Sequence, residues 1–71
     1  MKKDFLRVET YADGGRVESY LNVDKIIYFR RDETDPNWTT VFFEYRVVSV
    51  YMSIEDFCKA LEKLSYEQER K

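Results

Sequence analysis

The spacing of apolar residues changes once along this chain, and that change limits what it can fold into. From Phe5 to Tyr51 apolar and polar residues alternate, or apolar ones run together in short blocks rich in β-branched and aromatic side chains. After Ser53 the spacing switches to three and four: Ile54, Phe57, Cys58, Leu61 and Leu64. A period of two belongs to strands, and a period near 3.6 to one face of a helix. The pattern predicts an α+β domain: an antiparallel sheet of four to five strands, with one C-terminal helix packed on one face. At 71 residues there is room for one domain, ending in a polar tail from about residue 66.

The strands can be placed from turn chemistry. Asp4 to Tyr11 alternates Leu6, Val8 and Thr10 against Phe5, Arg7, Glu9 and Tyr11. Arg16 to Leu21 returns with Val17, Ser19 and Leu21 against Arg16, Glu18 and Tyr20. Between them, Asp13-Gly14-Gly15 supplies residues that tolerate positive φ, as a tight hairpin requires. "LNVD" reads as a short bend. Asp24 to Arg31 is a third strand whose run Ile26, Ile27, Tyr28, Phe29 suits a strand covered on both faces. Thr40 to Tyr51 reads either as one long strand or as two joined by a tight turn near Glu44-Tyr45-Arg46. A single strand would exceed the usual five or six residues by about twofold, which favours two. The helix runs from Ser53 to about Ser65. Ser53 is the expected cap, and Glu55 and Asp56 suit the N-terminal end of the helix dipole.

Composition narrows the function classes. There is no histidine, no glycine-rich phosphate loop, and no carboxylate pair in a recognisable catalytic setting, so the chain is read as a non-enzyme with no cofactor. One cysteine forms no internal disulfide and builds no thiolate metal site. Cys58, on the apolar stripe, is read as a small buried hydrophobe. Twelve basic against fourteen acidic residues make an ordinary balance without the basic excess of a nucleic-acid binder. Arg30, Arg31 and Arg46 are expected to form surface ion pairs. No run of 18 apolar residues and no apolar signal core are present, which makes the cytoplasm the expected location.

Two stretches remain as candidate sites. The first is the loop "RRDETDPNWTT". Its Asp32, Glu33, Asp35 and Asn37 lack the alternation and glycine of a calcium loop. Asp35-Pro36-Asn37-Trp38 reads as a turn, with Trp38 either pinning the loop or presented to a partner. The second is the aromatic content, six tyrosines, five phenylalanines and one tryptophan, on strands that are apolar on both sides. One helix covers one face, so the other is expected to be apolar, tyrosine-rich and an interface. Tyr11, Tyr20, Tyr28 and Trp38 are the expected contacts, and a homodimer is the commonest form of such an interface.

"YLNVDKI", a loop, "TTVFF" and "VVSVYMSIEDFCKAL" together resemble the small FlbD-like flagellar and swarming-motility family over residues 20 to 64. "DKIIYF" followed by strands and "SIEDF" is also similar to the first part of LytTR DNA-binding domains. The resemblance implies a small regulatory protein and carries no functional residues with it. There is no Asn-Gly turn before "VVSVYM", and the first hairpin is longer than in the motility family. Two other readings follow from charge. In one, Asp32, Glu33, Asp35 and Glu44 form an acidic surface that mimics nucleic acid in the basic groove of a target, as in phage-type inhibitors. In the other, the chain is itself a nucleic-acid-binding regulator.

Overall fold

The structure is a computed structural model and describes residues 5–69, with side chains described to Leu64. The elements are β1 (Phe5–Ala12), β2 (Gly15–Asn22), a 3-10 turn (Val23–Lys25), β3 (Ile26–Arg31), β4 (Thr39–Phe43), β5 (Val47–Val50) and α1 (Ile54–Glu69). They form the α+β architecture expected: one five-stranded antiparallel sheet in the order β2-β1-β5-β4-β3, and one C-terminal helix. Among the described residues no helix is long and apolar enough to cross a membrane.

Local chemistry accounts for most of the element ends. β1 and β2 pair along their whole length, from Phe5↔Asn22 to Ala12↔Gly15. Asp13 and Gly14 close the hairpin with φ of 54° and 79°, the two positive values of a primed two-residue turn. Asp4, which the sequence places at the start of the first strand, lies outside the described residues. The stretch Thr40 to Tyr51 is two strands. Its turn closes without glycine, through Phe43 N–H donating to the Arg46 carbonyl at 2.8 Å. Ser53 caps α1: its Oγ accepts from Asp56 N–H at 3.2 Å, and its carbonyl accepts from Phe57 N–H at 2.9 Å. The helix backbone continues four residues past Ser65, because "YEQE" contains neither glycine nor proline to stop it.

Two expectations are corrected. The third strand is not covered on both faces, and it begins two residues later than Asp24, after the 3-10 turn. β3 is an edge strand on which Ile27 and Tyr28 are 63% and 51% exposed. A register irregularity between Ile26 and Tyr28 puts both outward, while Ile26 and Phe29 turn inward. A bulge and a doubly buried strand leave the same apolar run in a sequence. Cys58 is exposed, not buried. The inward stripe of α1 is the narrower series of buried Phe57 and half-buried Ile54, Leu61 and Leu64, and Cys58 lies one step of about 100° round from Phe57.

The sheet cannot be flat. Five strands spaced about 4.8 Å apart would separate the edges β2 and β3 by about 19 Å. The 3-10 turn joining those edges advances about 2 Å per residue and spans about 8 Å. The edges are therefore drawn together, and the sheet curls into an open barrel. Its concave side holds the core of Val8, Leu21, Val41, Val50 and Phe57, with Ile26 and Phe29 of β3 packed on the same cluster as Leu21 of β2. Buried hydroxyls are satisfied there. Thr39 Oγ1 donates to the Met52 carbonyl at 2.8 Å, and Thr10 and Ser19 share a hydrogen bond of 2.8 Å. α1 packs on this side of the sheet through Phe57, and its Glu55 pairs with Arg31 at the end of β3. β1 and β5 pair in register only at Thr10↔Val50, so the two hairpins part beyond that point.

Candidate functional site: the outer face of the sheet

The convex face carries the side chains that alternation excludes from the core. On β1 and β2 these are Phe5, Tyr11 and Tyr20, which are 50%, 58% and 62% exposed. Ion pairs lie between them across the strands. Arg7 Nε donates to Glu18 Oε2 at 2.6 Å, and Tyr20 Oη donates to the same oxygen at 3.2 Å. These two bonds, Arg7's first, hold the Glu18 carboxyl below its ordinary range. Arg16 and Glu9 approach to 3.7 Å. This half of the face is a solvated lattice of charges with single aromatics set in it.

The other half is less polar. The registers Tyr28↔Phe42 and Phe42↔Val47 place three apolar side chains in one row across β3, β4 and β5. Tyr28 stacks on Phe42 with centroids 4.3 Å apart and planes within 10°, and Arg30 lies 5.5 Å from the Phe42 centroid. Val47 is 58% exposed, and Ile27 and the turn residue Tyr45 are exposed beside the row.

The loop from Asp32 to Trp38 folds onto this face at its far end. Asp32 organises it. Its Oδ2 accepts from Thr34 N–H, Thr34 Oγ1 and Asp35 N–H at 3.0, 2.8 and 3.1 Å, and its Oδ1 accepts from Thr40 Oγ1 at 3.4 Å. The Thr34 hydroxyl and amide, in that order, hold its carboxyl below the usual range. Asp35 starts the turn expected at Pro36, with Trp38 N–H donating to its carbonyl at 3.1 Å. The Trp38 carbonyl in turn accepts from Asp32 N–H at 3.0 Å. The indole meets Tyr11 and Tyr51 edge to face, at 6.0 and 4.9 Å. Arg16 sits 4.1 Å over the Tyr51 ring. Trp38 is half-buried and holds the loop down on the sheet.

The four expected contact residues thus do not form one site. Tyr11 and Trp38 touch each other, Tyr28 belongs to the apolar row, and Tyr20 lies on the edge strand β2 beside Glu18. Tyr51, Phe42 and Val47 are not among the contacts expected from the sequence. Tyr51 was marked by its alternation with Val50. The row depends on the register of β4 with β5, which was open while the turn at Glu44-Tyr45-Arg46 was open.

The four acids are also divided. Asp32 and Asp35 bond to their own loop, and Glu33 approaches Arg30 at 3.7 Å. Glu44 lies at the opposite end of β4, about 15 Å along the strand. Among the described residues no cluster of three or more Asp, Glu, Cys or His is placed to hold a metal ion. Of the three arginines expected to form surface ion pairs, Arg30 meets Glu33 and Arg31 reaches Glu55 of α1 at 2.8 Å, but Arg46 has no ion pair among the described residues. The chain matches no protein-family model, curated protein or solved structure with which it was compared.

The bonds to Asp32 make the loop sensitive to acid. An aspartate whose folded pKa is depressed contributes stability above its unfolded value, near 3.9. That contribution is lost as pH falls from there through the folded value. Asp32→Asn is expected to lower stability at neutral pH and to flatten the decline below about pH 4. Urea unfolding followed at several pH values checks this, and parallel acid limbs for the two proteins would contradict it.

Proposed function

We propose that this chain is a non-enzymatic interaction module of regulatory type, acting in the cytoplasm and associating with a second copy of itself through the outer sheet face. The observation that carries the reading is the row Tyr28–Phe42–Val47, with Ile27 and Tyr45 exposed beside it. An apolar row on an edge strand and its neighbours is costly to leave in water, and it suits a two-fold contact in which one patch meets its own copy. Tyrosine adds contact area with a polar tip. Lack of histidine and the engagement of the loop carboxylates within the loop support a non-enzymatic role. The positions of Asp32, Glu33, Asp35 and Glu44 favour this reading over acidic mimicry, which calls for clustered carboxylates.

Sedimentation velocity from about 10 μM to about 1 mM tests it, a span in which weak self-association titrates. The sedimentation coefficient is expected to rise with concentration. Val47→Lys puts a charge into the row and is expected to weaken association at least about tenfold. A strict monomer throughout, or unchanged association in the Val47→Lys protein, would remove the proposal.

A further inference from the structure

A second feature lies on the inner side of the sheet, and its rim adjoins the outer surface that carries Ile27 and Tyr45. Where the β1–β2 and β4–β5 hairpins part, they leave a cavity of about 370 Å³. That volume is in the range of small-molecule sites, which join an apolar lining to a few polar groups. Its apolar wall comes from Leu21, Phe43 and Val48, which belong to the core or pack against it. Its rim carries Lys25, Arg46 and Asn22. Asn22 Oδ1 accepts from Asp24 N–H at 3.2 Å, which leaves the amide nitrogen as a donor.

Lys25 and Arg46 have no ion pair with a carboxylate among the described residues, whereas Arg7, Arg16, Arg30 and Arg31 all do. Two cations and an amide donor beside an apolar wall call for a ligand with an anionic head and an apolar body. The size of the charge can be limited as well. Glu44 borders the adjoining outer surface with the same two cations. Its field opposes a dianion more than a monoanion. We infer that this cavity binds a small organic acid, a single carboxylate on a compact hydrocarbon or aryl body. The carboxylate lies between Arg46 and Lys25 at the rim, and the body lies against Leu21, Phe43 and Val48. Arginine's planar fork suits the two carboxylate oxygens.

NMR titration of the whole chain tests the assignment, with phenylacetate, 4-methylpentanoate, the neutral isostere phenylacetamide, and inorganic phosphate as probes. Both acids are expected to shift the signals of Leu21, Phe43 and Val48 saturably. Phenylacetamide is expected to bind about tenfold more weakly, and phosphate to leave those three residues unmoved. Lys25 and Arg46 are exposed, so Lys25→Gln and Arg46→Gln keep the fold, which the amide spectrum verifies; each is expected to weaken phenylacetate about three- to tenfold. The inference is overturned by any of three results: no shifts at the cavity, equal binding of the acid and the amide, or undiminished binding when Lys25→Gln and Arg46→Gln are combined.

Discussion

Replacing Phe57 with alanine is expected to remove about 3 to 5 kcal/mol of stability, the cost of deleting a large core side chain that its surroundings cannot replace. Phe57 is fully buried, and its ring meets Phe29 edge to face at 4.8 Å. Among the described residues it is the only helix residue in the buried core, whose other members, Val8, Leu21, Val41 and Val50, are all on strands. The side chain therefore ties α1 to the curled sheet, and its loss empties the middle of the barrel. A chain of this length has a total stability of about 4 to 10 kcal/mol, so the loss takes from about a third of it to all of it. Phe57→Leu keeps most of the volume and is expected to cost less than half as much. Urea unfolding followed by circular dichroism measures both. A loss below about 1 kcal/mol for alanine would mean that the helix is not anchored through this ring.

The helix was legible in the sequence because its signals are local. Ser53, Glu55, Asp56 and the spacing of Ile54, Phe57, Leu61 and Leu64 all act within four residues of one another. The first hairpin was legible for the same reason, through Asp13-Gly14 and strict alternation on both sides. What local signals miss is set by distant parts of the chain. The run Ile26 to Phe29 gave no sign of its bulge, because the irregularity exists only relative to β4. Cys58 falls on the helical stripe, and how wide a stripe the sheet covers depends on curvature. Curvature follows from the strand order, which places β2 and β3 at opposite edges although three residues join them. The candidate contacts were mixed for the same reason. Residue type and strand face single out Tyr11, Tyr20, Tyr28 and Trp38, and only register divides the outer face into an ion-paired half, an apolar row and a loop clamp.

That division makes the second large effect a test of function as well as of structure. Trp38→Ala is expected to cost about 2 to 3 kcal/mol, since it removes a half-buried indole and two edge-to-face contacts. Without the indole, the segment from Asp32 to Asn37 keeps its own turn but loses its hold on Tyr11 and Tyr51. Trp38→Phe retains part of the contact and is expected to lose about half as much. Neither change touches Tyr28, Phe42 or Val47. Compared at equal concentrations of folded protein, Trp38→Ala is expected to associate like the parent chain, whereas Tyr28→Ser associates less and keeps most of its stability. The opposite pattern, association lost with Trp38 at little cost in stability, would move the interface from the apolar row to the loop. Trp38 would then be the anchor offered to the partner, and the row of Tyr28, Phe42 and Val47 ordinary exposed surface.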